Sequence, residues 1–331
     1  MGGNYSVVAL PQWWLEGGRL YGKAGFQQAQ KRAGWKTQLP ALNGRVYIVT
    51  GANSGIGYCC ARQLAALGAE VHLVCRNEER GMKAMEAIQK ETDNSSIFLH
   101  LCDVSNESSA KKFASNFLGK NKALNGLINN AGVVMNERQL TPQGNEVCFA
   151  TAMGGTFLLT SMLLPALKRA SPPGRVVDVS SGGMYLAPFN TDYPQKGALT
   201  GKFDGLYAYV QAKRAQVLLS KRWCEKLKGD VIFNSMHPGW AGTPGVKTSQ
   251  MSWFYEKEGD KLRTEDQGAD TAVWLACDDD ATIVENGGGR FFFDRAPTRT
   301  HFPMAWTTNT EAEVDHLWSI CEEMFNHQVS V

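Results

Sequence analysis

From Gly44 onward the chain alternates short runs rich in β-branched residues with amphipathic stretches long enough for helices. This alternation is typical of parallel strands joined by crossover helices. At 331 residues and 43% hydrophobic, the chain can bury a full core. The predicted strands are residues 45–50, 70–75, 97–102, 126–129, 175–180, 231–236 and 290–293. We therefore expect one doubly wound α/β sheet of about seven parallel strands, with helices on both faces.

A glycine-rich run, TGANSGIG at residues 50–57, follows the first predicted strand and opens the first predicted helix. At such a junction the positive end of the helix and its unpaired N–H groups can hold a pyrophosphate, which glycine lets the backbone approach. A tight strand-to-helix turn without a ligand is the alternative. Together with the strand pattern, the run favours a Rossmann-type nucleotide-binding domain. The predicted contacts are Gly51, Asn53, Ser54, Gly55, Ile56 and Gly57.

Polar residues follow the third and fourth predicted strands in the order that a dinucleotide site requires. Asp103 and Val104 follow the third strand, where the carboxylate and the adjoining backbone can contact adenine. Asn130, Ala131 and Gly132 follow the fourth strand, where a ligand crosses the strand tips. These five residues join the predicted cofactor contacts.

The end of the second predicted strand bears on which dinucleotide binds. An acidic residue there would accept hydrogen bonds from the adenosine ribose, but the chain has Cys75 followed by Arg76. A guanidinium can pair with a 2′-phosphate, and Arg80 lies one helical turn away as a second contact. The pattern favours NADP(H) over NAD(H); a solvated surface arginine is the alternative.

Tyr209 and Lys213 lie four positions apart in a predicted helix and therefore project from the same face. A phenol beside a cation ionises more easily, so the Tyr209 pKa is predicted to fall from its reference of about 10 toward the working pH. Tyr207 stands six residues from Lys213, on another face. With a Ser-Ser pair at residues 180–181, these groups indicate one hydride-transfer site.

These motifs resemble the short-chain dehydrogenase/reductase superfamily. The matching motifs are TGANSGIG at 50–57, NNAG at 129–132, VSS at 179–181 and the pair Tyr209 and Lys213. The resemblance spans residues 44–300, and longer motifs such as HPGWA at 237–241 and THFP at 300–303 extend it to one branch of the superfamily, arm and tail included.

The resemblance implies a role for each catalytic residue. Tyr209 would exchange a proton with the carbonyl or alcohol oxygen, and Lys213 would lower the pKa of Tyr209 and hold the nicotinamide ribose. Ser181 would stabilise the substrate oxygen, with Ser180 as the less favoured neighbour, unless the serines only end a strand and cap a turn. His237 is expected to be structural. The loop that orients the nicotinamide carboxamide would contain Pro238, Gly239 and Thr243.

One position departs from the superfamily pattern. Ala152 stands where related enzymes usually have an asparagine that helps to anchor a water connecting the lysine to solvent. Helical spacing turns Thr151 about 100° away from that position, and Thr156 lies a full turn further on. We therefore expect a slower enzyme or a rearranged proton relay.

Aromatic and apolar residues indicate the substrate. Residues 181–209 enclose an interval long enough for an inserted loop, and the run MSWFY at 251–255 follows the nicotinamide loop, where the superfamily has a mobile lid. These side chains predict a lipophilic ketone, aldehyde or secondary alcohol as substrate; packing in the core or in a subunit interface is the alternative. The apolar residues of the interval are Met184, Tyr185, Leu186, Phe189, Tyr193 and Phe203.

Residues 1–40 form a separate N-terminal arm, and residues 41–331 form the nucleotide-binding domain with its C-terminal tail. The sequence MGGNYS at 1–6 matches the pattern for myristoylation of Gly2, which would place the protein peripherally on a membrane with help from Trp13 and Trp14. An arm that docks on the domain, or on a partner in a homo-oligomer, is the alternative.

Charge and cysteine usage exclude several classes of function. The net charge is only +2 with cations and acids interleaved, which argues against nucleic-acid binding. Eight cysteines lie mostly in apolar runs without metal-ligand spacing, so we expect free buried thiols in a reducing compartment and no metal. No stretch approaches the roughly 20 apolar residues of a membrane span, and no secretory signal is present. A soluble, cytoplasmic protein is predicted.

Three classes of function remain, of which a peripheral membrane adaptor led by residues 1–40 is the third. The first is an NADP-dependent oxidoreductase that acts on a lipophilic carbonyl or alcohol. The second is a nucleotide-binding sensor or scaffold of the same fold without turnover, which only Ala152 favours. Retention of Ser181, Tyr209 and Lys213 together argues for the enzyme.

Overall fold

One twisted sheet organises the computed structural model, which describes residues 5–36, 38–193, 202–249 and 251–329. Within these ranges the strand order is β3-β2-β1-β4-β5-β6-β7-β8, and all neighbours pair in parallel except β7 and β8. The seven parallel strands confirm the predicted sheet. The strands are β1 Val46–Thr50, β2 Glu70–Cys75, β3 Ile97–Leu101, β4 Gly126–Asn129, β5 Arg175–Val179, β6 Ile232–Met236, β7 Gly288–Phe293 and β8 Ala296–Pro297.

The short strand β8 was not predicted. It pairs antiparallel with β7 through Phe293 and Ala296, and the two residues between them, Asp294 and Arg295, both have positive φ. A two-residue turn of this kind matches the twist of paired strands but usually contains Asn-Gly or Asp-Gly. The sequence Asp-Arg therefore carries little local signal for a hairpin.

Helices cover both faces of the sheet, as predicted. Alternate residues of β1 point to opposite faces: Ile48 belongs to an apolar cluster with α5 to α8 and α13, whereas Val49 belongs to one with α3 and α11. The helices are α1 Ala9–Leu20, α2 Lys23–Ala33, α3 Gly55–Ala66, α4 Glu78–Thr92, α5 Glu107–Leu118, α6 Val147–Met153, α7 Thr160–Lys168, α8 Gly205–Leu227, α9 Pro244–Thr248, α10 Ser252–Glu258, α11 Glu265–Cys277, α12 Ala281–Val284 and α13 Glu311–Met324.

The N-terminal arm contributes α1 and α2, which pack on the rest of the chain. The Trp13 ring lies 5.1 Å from the Trp240 ring, and a Cβ at Gly17 would approach that same indole to 2.1 Å. The loop between the two helices is held by Arg263, which donates to the Tyr21 carbonyl at 2.8 Å. Gly2, the site of the predicted acylation, lies outside the described residues.

The helical run Val147–Lys168 qualifies the expectation that no stretch resembles a membrane span. It is long and apolar enough by composition, but 89% of its 18-residue apolar window is buried inside the protein. It comprises α6, a π-helical segment Gly154–Leu159 and α7. Its hydrophobicity is accounted for by its place in the core.

Candidate active site

A cleft of about 820 Å³ opens at the carboxyl ends of the parallel strands. Such a position is expected, because β1 has β2 on one side and β4 on the other, so the chain reverses its direction of winding there. Residues after β1, β2, β3, β4, β5 and β6 all contribute to the lining. The cleft also receives residues from the N-terminal arm and from α10.

Ser181, Tyr209 and Lys213 meet in this cleft. Ser181 follows β5 and forms a hydrogen bond with the Tyr209 side chain, while its Oγ also accepts from the Gly183 N–H at 3.1 Å. The Lys213 ammonium lies 5.6 Å from the centre of the Tyr209 ring. Ser180 has another use: its buried hydroxyl donates to the Lys213 carbonyl at 2.8 Å, which ties β5 to α8.

The pKa values differ from the expectation of an acidified phenol. Burial raises the pKa of Tyr209 to about 12, and the hydrogen bond with Ser181 offsets part of that rise. Burial also lowers the pKa of Lys213 to about 8, against the opposing influence of Cys148 and Asp178. The ammonium of Lys213 is engaged by other groups, so desolvation dominates at the phenol.

The surroundings of Lys213 are tightly packed. Its Nζ donates to the Val179 carbonyl at 2.7 Å and to Gln216 Oε1 at 2.8 Å. A Cβ at Gly132 would lie 3.1 Å from this Nζ, so the glycine lets the β4 loop approach the lysine. The predicted Gly132 and Lys213 are therefore close neighbours although 81 positions separate them.

The glycine-rich loop lines the cleft through most of its predicted residues, which are Gly51, Asn53, Ser54, Gly55 and Ile56. Gly51 has φ +66°, and a Cβ there would approach the Ala131 Cα to 3.0 Å. Ser54 makes no side-chain cap at the start of α3, so the N–H groups of the first turn remain available for a phosphate. A nucleotide pyrophosphate fits this cradle.

Gly57 is a correction to the predicted contact set, because it does not line the cleft. A Cβ at this position would lie 2.4 Å from the Gly51 carbonyl oxygen and 2.4 Å from Asn130 Nδ2. Gly57 therefore allows close packing behind the loop instead of contact with a ligand. The glycine spacing alone cannot distinguish these two uses.

The strand tips of β1 and β4 are cross-linked by hydrogen bonds. Thr50 Oγ1 accepts from the N–H groups of Asn130 and Ala131, both at 3.0 Å. The Asn130 side chain in turn donates to the Thr50 carbonyl at 2.9 Å. Asn130, Ala131 and Gly132, which are predicted cofactor contacts, all line the cleft, whereas Asn129 is buried.

Two arginines give the cleft positive charge at the carboxyl end of β2. Arg76 and Arg80 both line the cleft, and within the described ranges neither guanidinium forms an ion pair with a carboxylate. Asp103 and Val104 line it as well. One Asp103 oxygen, Oδ1, already accepts from the N–H and hydroxyl of Ser105 at 2.9 and 2.6 Å, which leaves Oδ2 for another donor.

The loop after β6 also reaches the cleft through Pro238, Gly239 and Thr243. Gly239 has φ +73°, and a Cβ there would lie 2.4 Å from Arg263 Nε. His237 is buried and stacks on the Phe293 ring at 4.1 Å, and burial holds its pKa well below the usual range. A neutral, buried imidazole of this kind is structural, as expected.

The predicted apolar wall is largely wrong. Of the residues proposed from the interval 181–209, only Leu186 lines the cleft. Met184, Tyr185 and Phe189 are buried in the core, and the Tyr193 ring packs 5.6 Å from that of Tyr207. Residues 194–201 of this interval lie outside the described part of the chain.

The wall is formed instead by segments far apart in sequence. Trp13 and Trp14 come from the arm, and the predicted lid segment supplies Trp253 and Phe254. The Trp14 ring lies 6.2 Å from the Trp253 ring and 6.0 Å from the Phe254 ring. The sequence analysis predicted that the segment now seen as α10 borders the substrate. It did not predict that the arm contributes to the same apolar wall. Other apolar residues that line the cleft include Leu10, Trp240, Val246 and Met251.

All eight cysteines are buried and unpaired, as expected of free thiols. In the ranges that the structure describes, no group of three histidine, cysteine or acidic side chains is arranged to hold a metal.

The comparisons with known proteins agree with this geometry. The sequence profile of the family described as short chain dehydrogenase matches residues 45–252, more than half of the chain. The chain is 44% identical over 315 residues to dehydrogenase/reductase SDR family member 12 of Bos taurus, covering 94% of this chain and 96% of that protein. Both the predicted superfamily and its narrower branch are thereby confirmed.

Two further similarities extend this result. Retinol dehydrogenase 11 of Mus musculus is 36% identical over 255 residues, covering 76% of this chain and 78% of that protein. A short chain dehydrogenase from Escherichia coli CFT073, solved in complex with NADPH, has a TM-score of 0.60 at 25% identity and covers 78% of this chain and all of its own. The chain belongs to the short-chain dehydrogenase/reductase family and is an NAD(P)-dependent oxidoreductase.

Proposed function

We propose that this protein interconverts a lipophilic carbonyl compound and its alcohol with NADP(H) as the redox partner. The observation that carries the proposal is a single cleft that Ser181, Tyr209 and Lys213 line together with two arginines and a group of aromatic side chains. The arginines suit a phosphorylated nucleotide, and the aromatic side chains suit a hydrophobic substrate.

The chain's own residues would position and protonate the substrate. Bound nicotinamide supplies or accepts the hydride. The Ser181 hydroxyl would hold the substrate oxygen beside the Tyr209 hydroxyl, with which it already forms a hydrogen bond. Tyr209, protonated at neutral pH, would donate its proton to the carbonyl oxygen during reduction, and the reverse reaction would require its phenolate form to accept the proton of the alcohol.

The function is tested by following the ultraviolet absorbance of NADPH with purified protein and a broad panel of carbonyl compounds. Oxidation of NADPH with hydrophobic members of the panel is the expected result. Turnover of small polar compounds alone would contradict the lipophilic substrate. NADPH binding in a thermal-shift assay without oxidation across the panel would favour the nucleotide-binding sensor.

The proposed preference for NADP(H) rests on Arg76 and Arg80. Replacing Arg76 with alanine removes a charge-assisted hydrogen bond to the 2′-phosphate, and such bonds contribute about 1.5–3 kcal/mol. We expect the KM for NADPH to rise about 10- to 100-fold. The KM for NADH, which lacks that phosphate, should stay within about twofold and serves as the internal control. Equal changes for both cofactors would contradict the assignment.

The proposed lipophilic substrate rests on the tryptophan wall. The name of the mouse relative, retinol dehydrogenase 11, indicates a hydrophobic alcohol as its substrate. In this chain the wall joins the arm to α10, with the Lys257 ammonium 4.1 Å from the centre of the Trp14 ring. Several aromatic side chains around one cleft offer a hydrophobic substrate more apolar surface than a small polar one needs.

Replacing Trp14 with alanine should weaken binding of a long or polycyclic carbonyl compound. Loss of one aromatic contact surface predicts a KM about 10-fold higher for such a substrate, with kcat and the KM for a small aldehyde unchanged. The matched control is Trp306→Ala, because Trp306 is 78% exposed and does not line the cleft. Equal losses for both variants, or for small and large substrates alike, would contradict a substrate role for Trp14.

Membrane attachment through residues 1–40 stays a prediction, but the two tryptophans expected to support it have contacts within the protein. Trp13 is 8% exposed and Trp14 is only half-buried, but both pack against α10 and Trp240, so they are engaged within the protein. The prediction of peripheral attachment therefore rests mainly on acylation of Gly2 and less on the two tryptophans. Intact-mass measurement of protein from its native cell would detect or exclude the acyl chain.

A further inference from the structure

Behind Lys213, outside the cleft lining, buried polar groups form a chain of hydrogen bonds. Lys213 Nζ donates to Gln216 Oε1 at 2.8 Å, and Gln216 Nε2 donates to Thr156 Oγ1 at 3.0 Å. The Thr156 hydroxyl donates to Asp178 Oδ1 at 2.7 Å. Gln216, Thr156 and Asp178 are each 0% exposed, and Lys213 is 3% exposed. An ammonium and a carboxylate are thus connected entirely through the protein interior.

The two charged ends determine the direction of every bond in this chain. An ammonium only donates and a carboxylate only accepts. The Gln216 amide must therefore turn its oxygen toward Lys213 and its nitrogen toward Thr156, whose single hydroxyl proton goes to Asp178. Because the dipoles are aligned, each bond polarises the next, and the effect is strongest where water is excluded.

The same bonds determine where the lysine points. An ammonium has three N–H donors, and Lys213 uses two of them on Gln216 and on the Val179 carbonyl. The third donor is left for the cleft, which Lys213 lines. The buried chain therefore aims one proton of the lysine at the space where the cofactor ribose and substrate would lie.

Thr156 enters this chain from the π-helical segment Gly154–Leu159. A π turn adds a residue to one turn of a helix and often occurs at functional sites. The Thr156 carbonyl accepts from Trp223 Nε1 at 2.9 Å. Asn129 Nδ2 adds a second hydrogen bond to Asp178 Oδ1 at 3.0 Å. The segment, β4, β5 and α8 together hold the chain of groups in one arrangement.

We infer that Gln216, Thr156 and Asp178 are positioning residues that keep Lys213 protonated and aimed into the cleft. This inference rests on the role proposed for Lys213 in hydride transfer. The titratable groups that face Lys213 are Cys148, Tyr209 and Asp178. Burial raises the pKa of the Cys148 thiol well above its usual range and that of Tyr209 to about 12. Burial raises the pKa of Asp178 only to about 6, so at neutral pH Asp178 supplies the negative charge among the three.

Asp178→Asn is the sharpest test, because asparagine keeps the shape and can still accept from Thr156 but carries no charge. Loss of an opposite charge destabilises the ammonium, so the Lys213 pKa should fall by about one unit. The pKa is measured by NMR titration of the lysine ¹³Cε signal in the full-length protein, assigned by its loss in Lys213→Arg. The alkaline limb of kcat for carbonyl reduction should shift to lower pH by the same amount.

Gln216→Leu gives a second test that leaves Asp178 in place. Leucine breaks the chain between the two charges, and we again expect a lower Lys213 pKa, together with a kcat about 10-fold lower. The matched control is Gln211→Leu on the same helix. Gln211 is 0% exposed, accepts from the Asn190 N–H at 2.7 Å and donates to the Pro188 carbonyl at 3.0 Å, away from Lys213.

These experiments distinguish a failure of the inference about Lys213 from a failure of the proposed reaction. An unchanged Lys213 pKa in Asp178→Asn and Gln216→Leu would overturn the inference, as would an equal shift in Gln211→Leu. The NMR titration requires no turnover. A shifted pKa in a protein without reductase activity would therefore support the positioning chain and contradict the proposed reaction alone.

Discussion

Replacing Tyr209 with phenylalanine is expected to lower the kcat of carbonyl reduction by about 10²- to 10⁴-fold, the range over which a positioned proton donor contributes. Phenylalanine retains the ring but removes the hydroxyl that lies beside Ser181. Neither the glycine-rich loop nor Arg76 contacts this hydroxyl, so NADPH binding should change little. Initial rates of NADPH oxidation, with binding measured separately by thermal shift, check both statements.

Tyr207→Phe is the matched control for this experiment. Tyr207 lies on the same helix, is 9% exposed and packs edge-on against Tyr5 at 5.7 Å, and it does not line the cleft. Its loss should leave kcat within about twofold, because no catalytic proton passes through it. Equal activity of Tyr209→Phe and the unaltered protein would remove the central element of the proposed mechanism.

Replacing Arg263 with methionine is expected to lower the free energy of unfolding by about 3–5 kcal/mol, as breaking a buried ion pair usually does. The Arg263 side chain is 1% exposed and binds Asp294 through two contacts, at 2.5 and 2.9 Å. It also donates to the carbonyls of Leu20 and Tyr21 in the arm, at 2.9 and 2.8 Å. Methionine would leave a buried carboxylate and two carbonyls without these donors.

Urea unfolding measures this effect, and two further variants interpret it. Arg290→Met breaks an ion pair with Glu285 that is 26% and 55% exposed, and it should cost no more than about 1 kcal/mol. Adding Asp294→Met to Arg263→Met removes the unpaired charge and should recover part of the loss. A cost for Arg263→Met no larger than that for Arg290→Met would show that Arg263 does not hold the arm.

Much of the fold was predictable because the relevant signals are local. Most of the parallel strands are short, mainly apolar runs with a polar residue at or soon after the carboxyl end, and these runs identify β1 to β7 within two residues. Once the order of the strands is known, their carboxyl ends must meet at one edge of the sheet. The approximate neighbourhood of Ser181, Tyr209 and Lys213 therefore follows from sequence spacing.

The failures concern contacts between residues far apart in the chain. Gly57 belongs to the glycine motif, but only its distance from Asn130 shows that it packs behind the loop. Met184 and Tyr185 are apolar enough for a substrate wall, yet they are buried in the core. Hydrophobicity alone does not say whether a side chain faces a cleft or a neighbouring helix, because burial satisfies it in both cases.

The amino-acid sequence by itself determined the doubly wound sheet, the nucleotide loop and the pair Tyr209 and Lys213, since strand periodicity and helical spacing are properties of neighbouring residues. Only the tertiary structure decided that the arm's Trp14 lines the cleft and that Lys213 is linked to Asp178. It also decided the Tyr209 pKa, because desolvation by packed neighbours outweighs a cation turned toward other acceptors. Packing and desolvation depend on every element surrounding a group, and no local pattern contains that information.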